Sequence, residues 1–125
     1  AAGKYDWRNP DITVTHFPVK GKGKKSLVGQ LIHFNRVISS DDVEKELDKM
    51  GLRSSMSEEL LAFGATFQDV QRKFPVVGLG SVAEIAGKRN VPYLNRNDAK
   101  RNLNLNWYGN DWDEVCRFLA FRYSP

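Results

Sequence analysis

The stretch RNLNLNWYGNDWDEV, residues 101–115, decides how the chain is read. Its side chains alternate: Leu103, Leu105 and Trp107 on one side, Asn102, Asn104, Asn106 and Tyr108 on the other. Period-two alternation predicts a half-buried β-strand with its apolar side on the core. Asparagine is among the residues strands avoid, and a face turned only to water would carry Thr, Lys, Glu or Arg. Six asparagines fall between positions 95 and 110, against three elsewhere, at Asn9, Asn35 and Asn90. Turn chemistry accounts for Asn95, Asn97 and Asn110, because the short amide mimics a backbone partner and tolerates positive φ. It leaves Asn102, Asn104 and Asn106 unexplained. A contact surface explains them: each amide offers two donors and an acceptor, and Tyr108 adds a rigid amphipathic ring. Binding loops use the same mixture of aromatic anchors and adaptable hydrogen-bonders. Trp107 and Trp112 are assigned to the frame with the leucines.

The segments around this strand are also β-rich. VPYL (91–94) reads as a strand, NRNDAK (95–100) as a polar turn, GNDWDEV (109–115) as a loop and CRFLAFR (116–122) as a closing strand. Upstream, VVGLGS (76–81) reads as a buried strand whose glycines allow close packing. A dinucleotide loop would need a third glycine and a helix opening after it. The first half carries two helical patterns. SSDDVEKELDKMG is capped by Ser39 or Ser40, loads its first turn with Asp41, Asp42 and Glu44, and aligns Val43, Leu47 and Met50 in one stripe before Gly51. SSMSEELLAFGATFQDVQRKFP restarts a helix with Ser55 and Glu58 at capping-box spacing, buries Leu60, Leu61 and Phe63, and adds a short turn at Phe67, Val70 and Phe74. DITVTHFP (11–18) and SLVGQLIHFNRVI (26–38) read as strands. Helices first and a β-meander last predict a single α+β domain over residues 1–125.

Composition bounds the function classes. The chain is 41% hydrophobic and 27% charged, and no run is long enough for a membrane span. AAGKYDW at the start shows no signal-peptide pattern, and the compartment is left open. One cysteine, Cys116, excludes an internal disulfide and a cysteine-cage zinc site, and two histidines, His16 and His33, are few for a metal centre. Cys116 opens an apolar strand with no histidine in its segment, so it reads as an inert packed thiol. Asp111, Asp113 and Glu114 could attract a cation, but loop satisfaction or pairing with Arg117 or Arg122 is the simpler reading. No cofactor and no enzymatic activity are expected. The formal charge is +4 and the pI about 9.3, with much of the excess in KGKGKK, residues 20–25. That segment is either a solvated Gly-punctuated loop or, as an alternative function, a nucleic-acid contact acting with Arg96, Lys100 and Arg101.

ELLAFGATFQDVQRKFPVVGLGS, followed by VPYL, LNLNWYGNDW and CRFLAFR, resembles the variable proteins of archaeal diversity-generating retroelements. The resemblance implies a C-type lectin-like fold, with two helices packed on a small, mostly antiparallel sheet. It also implies a hypervariable C-terminal surface for an unknown protein or cell-surface ligand that differs between variants. Such elements rewrite codons at template adenines, and asparagine codons are adenine-rich, so clustered asparagines are what a faithfully copied template leaves. By that argument Asn95, Arg96, Asn97, Asp98, Asn102, Asn104, Asn106, Tyr108, Gly109, Asn110 and Asp113 are the ligand-binding, variable positions. Lys100, Trp107, Trp112 and Glu114 are frame. The chain departs from animal C-type lectins in its single cysteine and its lack of Glu-Pro-Asn, so calcium-dependent sugar binding is not expected.

Overall fold

The structure, a computed structural model, describes residues 5–13, 15–17 and 29–122. The alternating stretch forms half of a long hairpin. Lys88–Asn97 (β7) and Lys100–Trp107 (β8) pair antiparallel, with Tyr93 opposite Asn104, Leu94 opposite Leu103 and Asn95 opposite Asn102. The NRNDAK segment is therefore mostly strand, and the turn falls at Asp98, whose φ of 55° is one that asparagine and aspartate tolerate best outside glycine.

Among the described residues, eight strands make one mixed sheet in an α+β fold with three helices. Trp7–Arg8 (β1) runs parallel to β8 at one edge, and Val76–Val77 (β5) joins β7 to Arg117–Arg122 (β10). Gly29–Ile32 (β2) lies antiparallel along β10, whose other edge is shared by β5 and Leu52–Ser54 (β4). Ala83–Ile85 (β6) folds back on β7. A separate pair, Ile38–Ser39 (β3) and Asp111–Trp112 (β9), joins the start of the first helix to the 109–115 loop.

The central strands are apolar on both sides because each side meets its own core. Val77, Val91, Phe118 and Ala120 face Val43 and Leu47 of Ser40–Lys49 (α1) together with Trp112. Val76, Leu94, Leu103, Leu119 and Phe121 face Leu60 of Ser57–Thr66 (α2) together with Ile12 and Phe17. The continuous apolar run FLAF of β10 records this double burial. On β8 only the leucine side joins a core, so the alternation survives there.

Ser39 caps α1 by accepting the Asp42 N–H at 3.1 Å, and Gly51 takes the left-handed exit at φ 74°. Met50 departs from the expected stripe: it is half exposed, at the C-cap beyond the last residue of α1. The start of α2 lies one residue later than the capping-box spacing suggests. Glu59, not Glu58, accepts the Met56 N–H at 2.8 Å, because a two-pronged bond to Arg53 holds Glu59 at the helix start. Val70–Lys73 (α3) is the short extra turn.

Three strand expectations are corrected. Residues 11–13 and 15–17 of DITVTHFP form turns, with the Phe17 N–H donating to the Thr13 carbonyl at 2.8 Å. That turn drives Ile12 and Phe17 into the same core. SLVGQLIHFNRVI splits into β2 and β3 because Asn35 adopts φ 56° between them. VVGLGS is strand only at Val76 and Val77. Beyond them Gly80 passes so close to the Ser54 and Ser55 carbonyls that a Cβ would lie 2.6 Å from both, which bears out close packing. The lysine segment 20–25 lies outside the described residues.

Candidate functional site

The outer edge of β8 is built by the N-terminal segment. Odd-numbered residues of β8 turn their backbone groups away from β7: the Arg101 and Leu103 carbonyls accept from the Asp6 and Asn9 N–H groups at 2.9 Å each. The Asp6 carboxylate returns to the Arg101 N–H at 2.6 Å. Past the end of β1, the next two outward N–H groups are met by side chains. Asn104 Oδ1 accepts from Leu105 N–H and Asn106 Oδ1 from Trp107 N–H, both at 2.8 Å. Asn104 Oδ1 also accepts from Asn9 Nδ2 at 3.1 Å, and Asn106 Oδ1 from Asn110 Nδ2 at 2.8 Å. Asn104 and Asn106 thus satisfy an open sheet edge, a role that alternation alone does not reveal.

The predicted positions separate into two groups at opposite ends of β8. Asn95, Arg96, Asn97, Asn102 and Asn104 line one open hollow of ≈ 630 Å³, together with Trp7 and Lys100. Two cations and four amides surround it, and no carboxylate lines it. Beneath it Gln71 of α3 donates through Nε2 to the carbonyls of Asn95 and Asn102, at 2.8 and 3.1 Å, locking the two strands together. At the far end stand Asn106, Tyr108, Gly109 and Asn110. Tyr108 is held from three sides: its hydroxyl donates to Asp41 at 3.2 Å, its carbonyl accepts from Ser40 Oγ at 2.7 Å, and the Arg89 guanidinium lies 4.5 Å from its ring centre. Burial, reinforced by Asp41, pushes the Tyr108 phenol above its ordinary range. Asp98 stands exposed at the hairpin turn.

Asp113 belongs to neither group. Its carboxylate accepts from the Val115 N–H at 3.1 Å and from the Cys116 thiol at 3.4 Å. Burial and that bond push the Cys116 thiol up to about 12, so it stays protonated at neutral pH, as expected of a packed thiol. Among the described residues, no three His, Cys, Asp or Glu side chains converge as a metal cluster would, and no helix is long and apolar enough to cross a membrane.

Three sequence assignments change. Trp107 is 44% exposed, not frame. Burial falls along β8 from Leu103 through half-buried Leu105 to Trp107, whose ring lies 5.1 Å from the Lys88 ammonium. Arg101 is buried instead of contributing to a basic surface. It is 2% exposed, donates to the Gly64 carbonyl and stacks 4.8 Å over the Tyr5 ring. Trp7, which no local pattern marked, is 45% exposed beside Asn102. Its place comes from a parallel pairing between residues far apart in the chain, and such a pairing leaves no periodic trace.

This arrangement offers hydrogen-bond donors and acceptors, positive charge and an aromatic plane on a strand pair clamped from below. The chain matches no protein-family model, no curated protein and no solved structure.

Proposed function

We propose that this chain is a non-enzymatic binding module of the diversity-generating retroelement kind, with a C-type lectin-like scaffold. In this reading its β7–β8 surface is a replaceable polar skin for recognising variable protein or cell-surface ligands. One observation carries the reading. Asn95, Asn97, Asn102 and Asn104 line one open hollow, while Leu94 and Leu103, interleaved on the same two strands, are fully buried on the opposite face. Asn97 and Asn102 can change without touching that core or the edge bonds of Asn104, and surface substitutions away from special features ordinarily change stability by less than about 0.5 kcal/mol. Trp7, Asn9 and the Asn106–Asn110 pair extend the same surface along β8.

Two measurements test it. Variants carrying Ser, Tyr, Asp or Gly together at Asn97 and Asn102 are expected to fold and to melt within a few degrees of the parent. Unfolding of most of them removes the reading. In the source genome, a reverse transcriptase beside a near-copy of the codons for residues 87–116, differing only at adenines, is the expected neighbourhood. A lone gene without such a repeat counts against it.

A further inference from the structure

We infer that the hollow beside β1 takes an acidic peptide segment, with Trp7 and Lys100 as constant anchors around the replaceable asparagines. The inference rests on the reading above and names its partner class. The charge of the site is one-sided. Arg96 and Lys100 line it without a carboxylate, the neighbouring Asp6 is taken up by the Arg101 N–H, and the whole chain carries +4. Complementary potential steers and selects partners of opposite sign.

Its hydrogen-bonding side is unfinished. Asn95 Oδ1 is buried and has no hydrogen-bond partner among the described residues. A buried acceptor left open is costly, and an N–H donor that reaches it recovers that cost. Peptide groups supply that donor, and a side-chain amide such as that of Asn102 matches the donor–acceptor pair of a peptide bond. Trp7, on the edge strand opposite Asn102, gives a flat apolar wall for the side chains between the acidic ones. The volume of ≈ 630 Å³ lies inside the range of about 300–1,000 Å³ common to ligand clefts.

An oligonucleotide fits less well. Single strands are held by cations that follow the phosphate backbone, and here Arg101, next to Lys100 on the same strand, points inward to Gly64. Trp7 lies far outside the C-terminal segment that adenine-directed change would reach, and Lys100 was assigned to the frame. These two would therefore act in every variant, setting a common preference for acidic partners while the asparagine positions choose among them.

The test is fluorescence anisotropy at low salt, where such contacts are least screened, with a dye-labelled Glu/Ala peptide, a Lys/Ala peptide of equal length and an oligo-dT strand as probes. The expected result is saturable binding of the Glu/Ala peptide alone. Lys100→Glu should weaken it about fivefold or more, and Trp7→Ala comparably. Lys45→Glu, the same charge change on the exposed face of α1, should leave it within about twofold. Trp7→Phe, which keeps an aromatic wall, should retain most of the binding and guards against a disturbed β1. Equal losses at Lys45 and Lys100, tighter binding of oligo-dT, or no saturable binding up to about 1 mM would overturn the inference. None of these outcomes bears on the asparagine variants or the genomic repeat, so the two proposals fail separately.

Discussion

Asn102 and Asn104 stand two positions apart on one strand and both line the hollow, yet their surroundings differ. The Asn104 oxygen holds the Leu105 N–H and the Asn9 amide, whereas at Asn102 it is the backbone carbonyl that takes the Gln71 bond. Replacing Asn104 with Ala should therefore cost about 1 kcal/mol, a fall in Tm of about 3–5 °C. Asn102→Ser should stay within about 0.5 kcal/mol. Thermal melts of the two variants decide this, and equal losses at both sites would mean that the edge bonds carry no stability. In a retroelement protein, positions 104 and 106 should then favour side chains that keep a short acceptor, while 97 and 102 vary freely. The alternation of the sequence pointed to Asn102, Asn104 and Asn106, with Asn97 read as a turn residue. It could not distinguish them, because the difference lies in Asn9 and in where β1 stops.

Among the elements, α2 and β4 are joined by a charged pair that responds to acid. Arg53 donates to both oxygens of Glu59 at 2.8 and 2.7 Å, and Glu59 also accepts the Met56 N–H. Burial works against the Glu59 charge, but the Arg53 and Met56 bonds outweigh it and hold the carboxyl below its ordinary value. A depressed folded-state pKa contributes stability above the unfolded value, near 4.3 for Glu, and loses it as pH falls through the folded value. Glu59→Gln should lower the unfolding free energy measured in urea at pH 7 by about 1 kcal/mol, once solvent screening of the half-buried pair is allowed for. It should also flatten the decline below about pH 4.5. A variant as acid-sensitive as the parent would show that the pair is not responsible. Glu44 acts in the opposite sense: burial, with Asp41 nearby, raises its pKa, so protonation relieves a cost. The helix-start signal was visible in the sequence as Ser-x-x-Glu. Its register was not, because a tertiary bond to Arg53 selected Glu59.

At the scale of the molecule, residues 5 and 6 tie α2 to β8. Tyr5 Oη donates to the Leu61 carbonyl at 2.9 Å, its ring lies under Arg101, and Asp6 bonds the Arg101 backbone. Burial pushes the Tyr5 phenol up to about 12. The same packing makes Gly64 necessary in α2, since a Cβ there would lie 2.9 Å from Leu94 Cδ1 and closer still to the Tyr5 hydroxyl. The proposed change of the β7–β8 surface requires a core beneath it that stays fixed. Leu103→Asp, at a position with no exposure, should leave the domain unfolded in far-UV circular dichroism. Leu105→Asp, half-buried nearer the open end of the strand, should fold with a loss of about 2 kcal/mol. A folded Leu103→Asp would mean that the sheet is not pinned where the burial pattern places it.

The sequence alone determined what depends on neighbours a few residues away: the leucine–asparagine alternation of β8, a serine cap at 39 or 40 and the Val43–Leu47 face of α1, the inert thiol, and the α+β order of elements. Tertiary structure alone decided what depends on partners brought from elsewhere in the chain. It placed Trp7 beside the asparagines, buried Arg101 against Gly64 and Tyr5, exposed Trp107 near the end of its strand and gave Asn104 and Asn106 an edge to close. The physical reason is range. Local periodicity and capping are written in consecutive residues, whereas burial and edge pairing follow from which distant segment arrives to cover a side chain or complete a backbone bond.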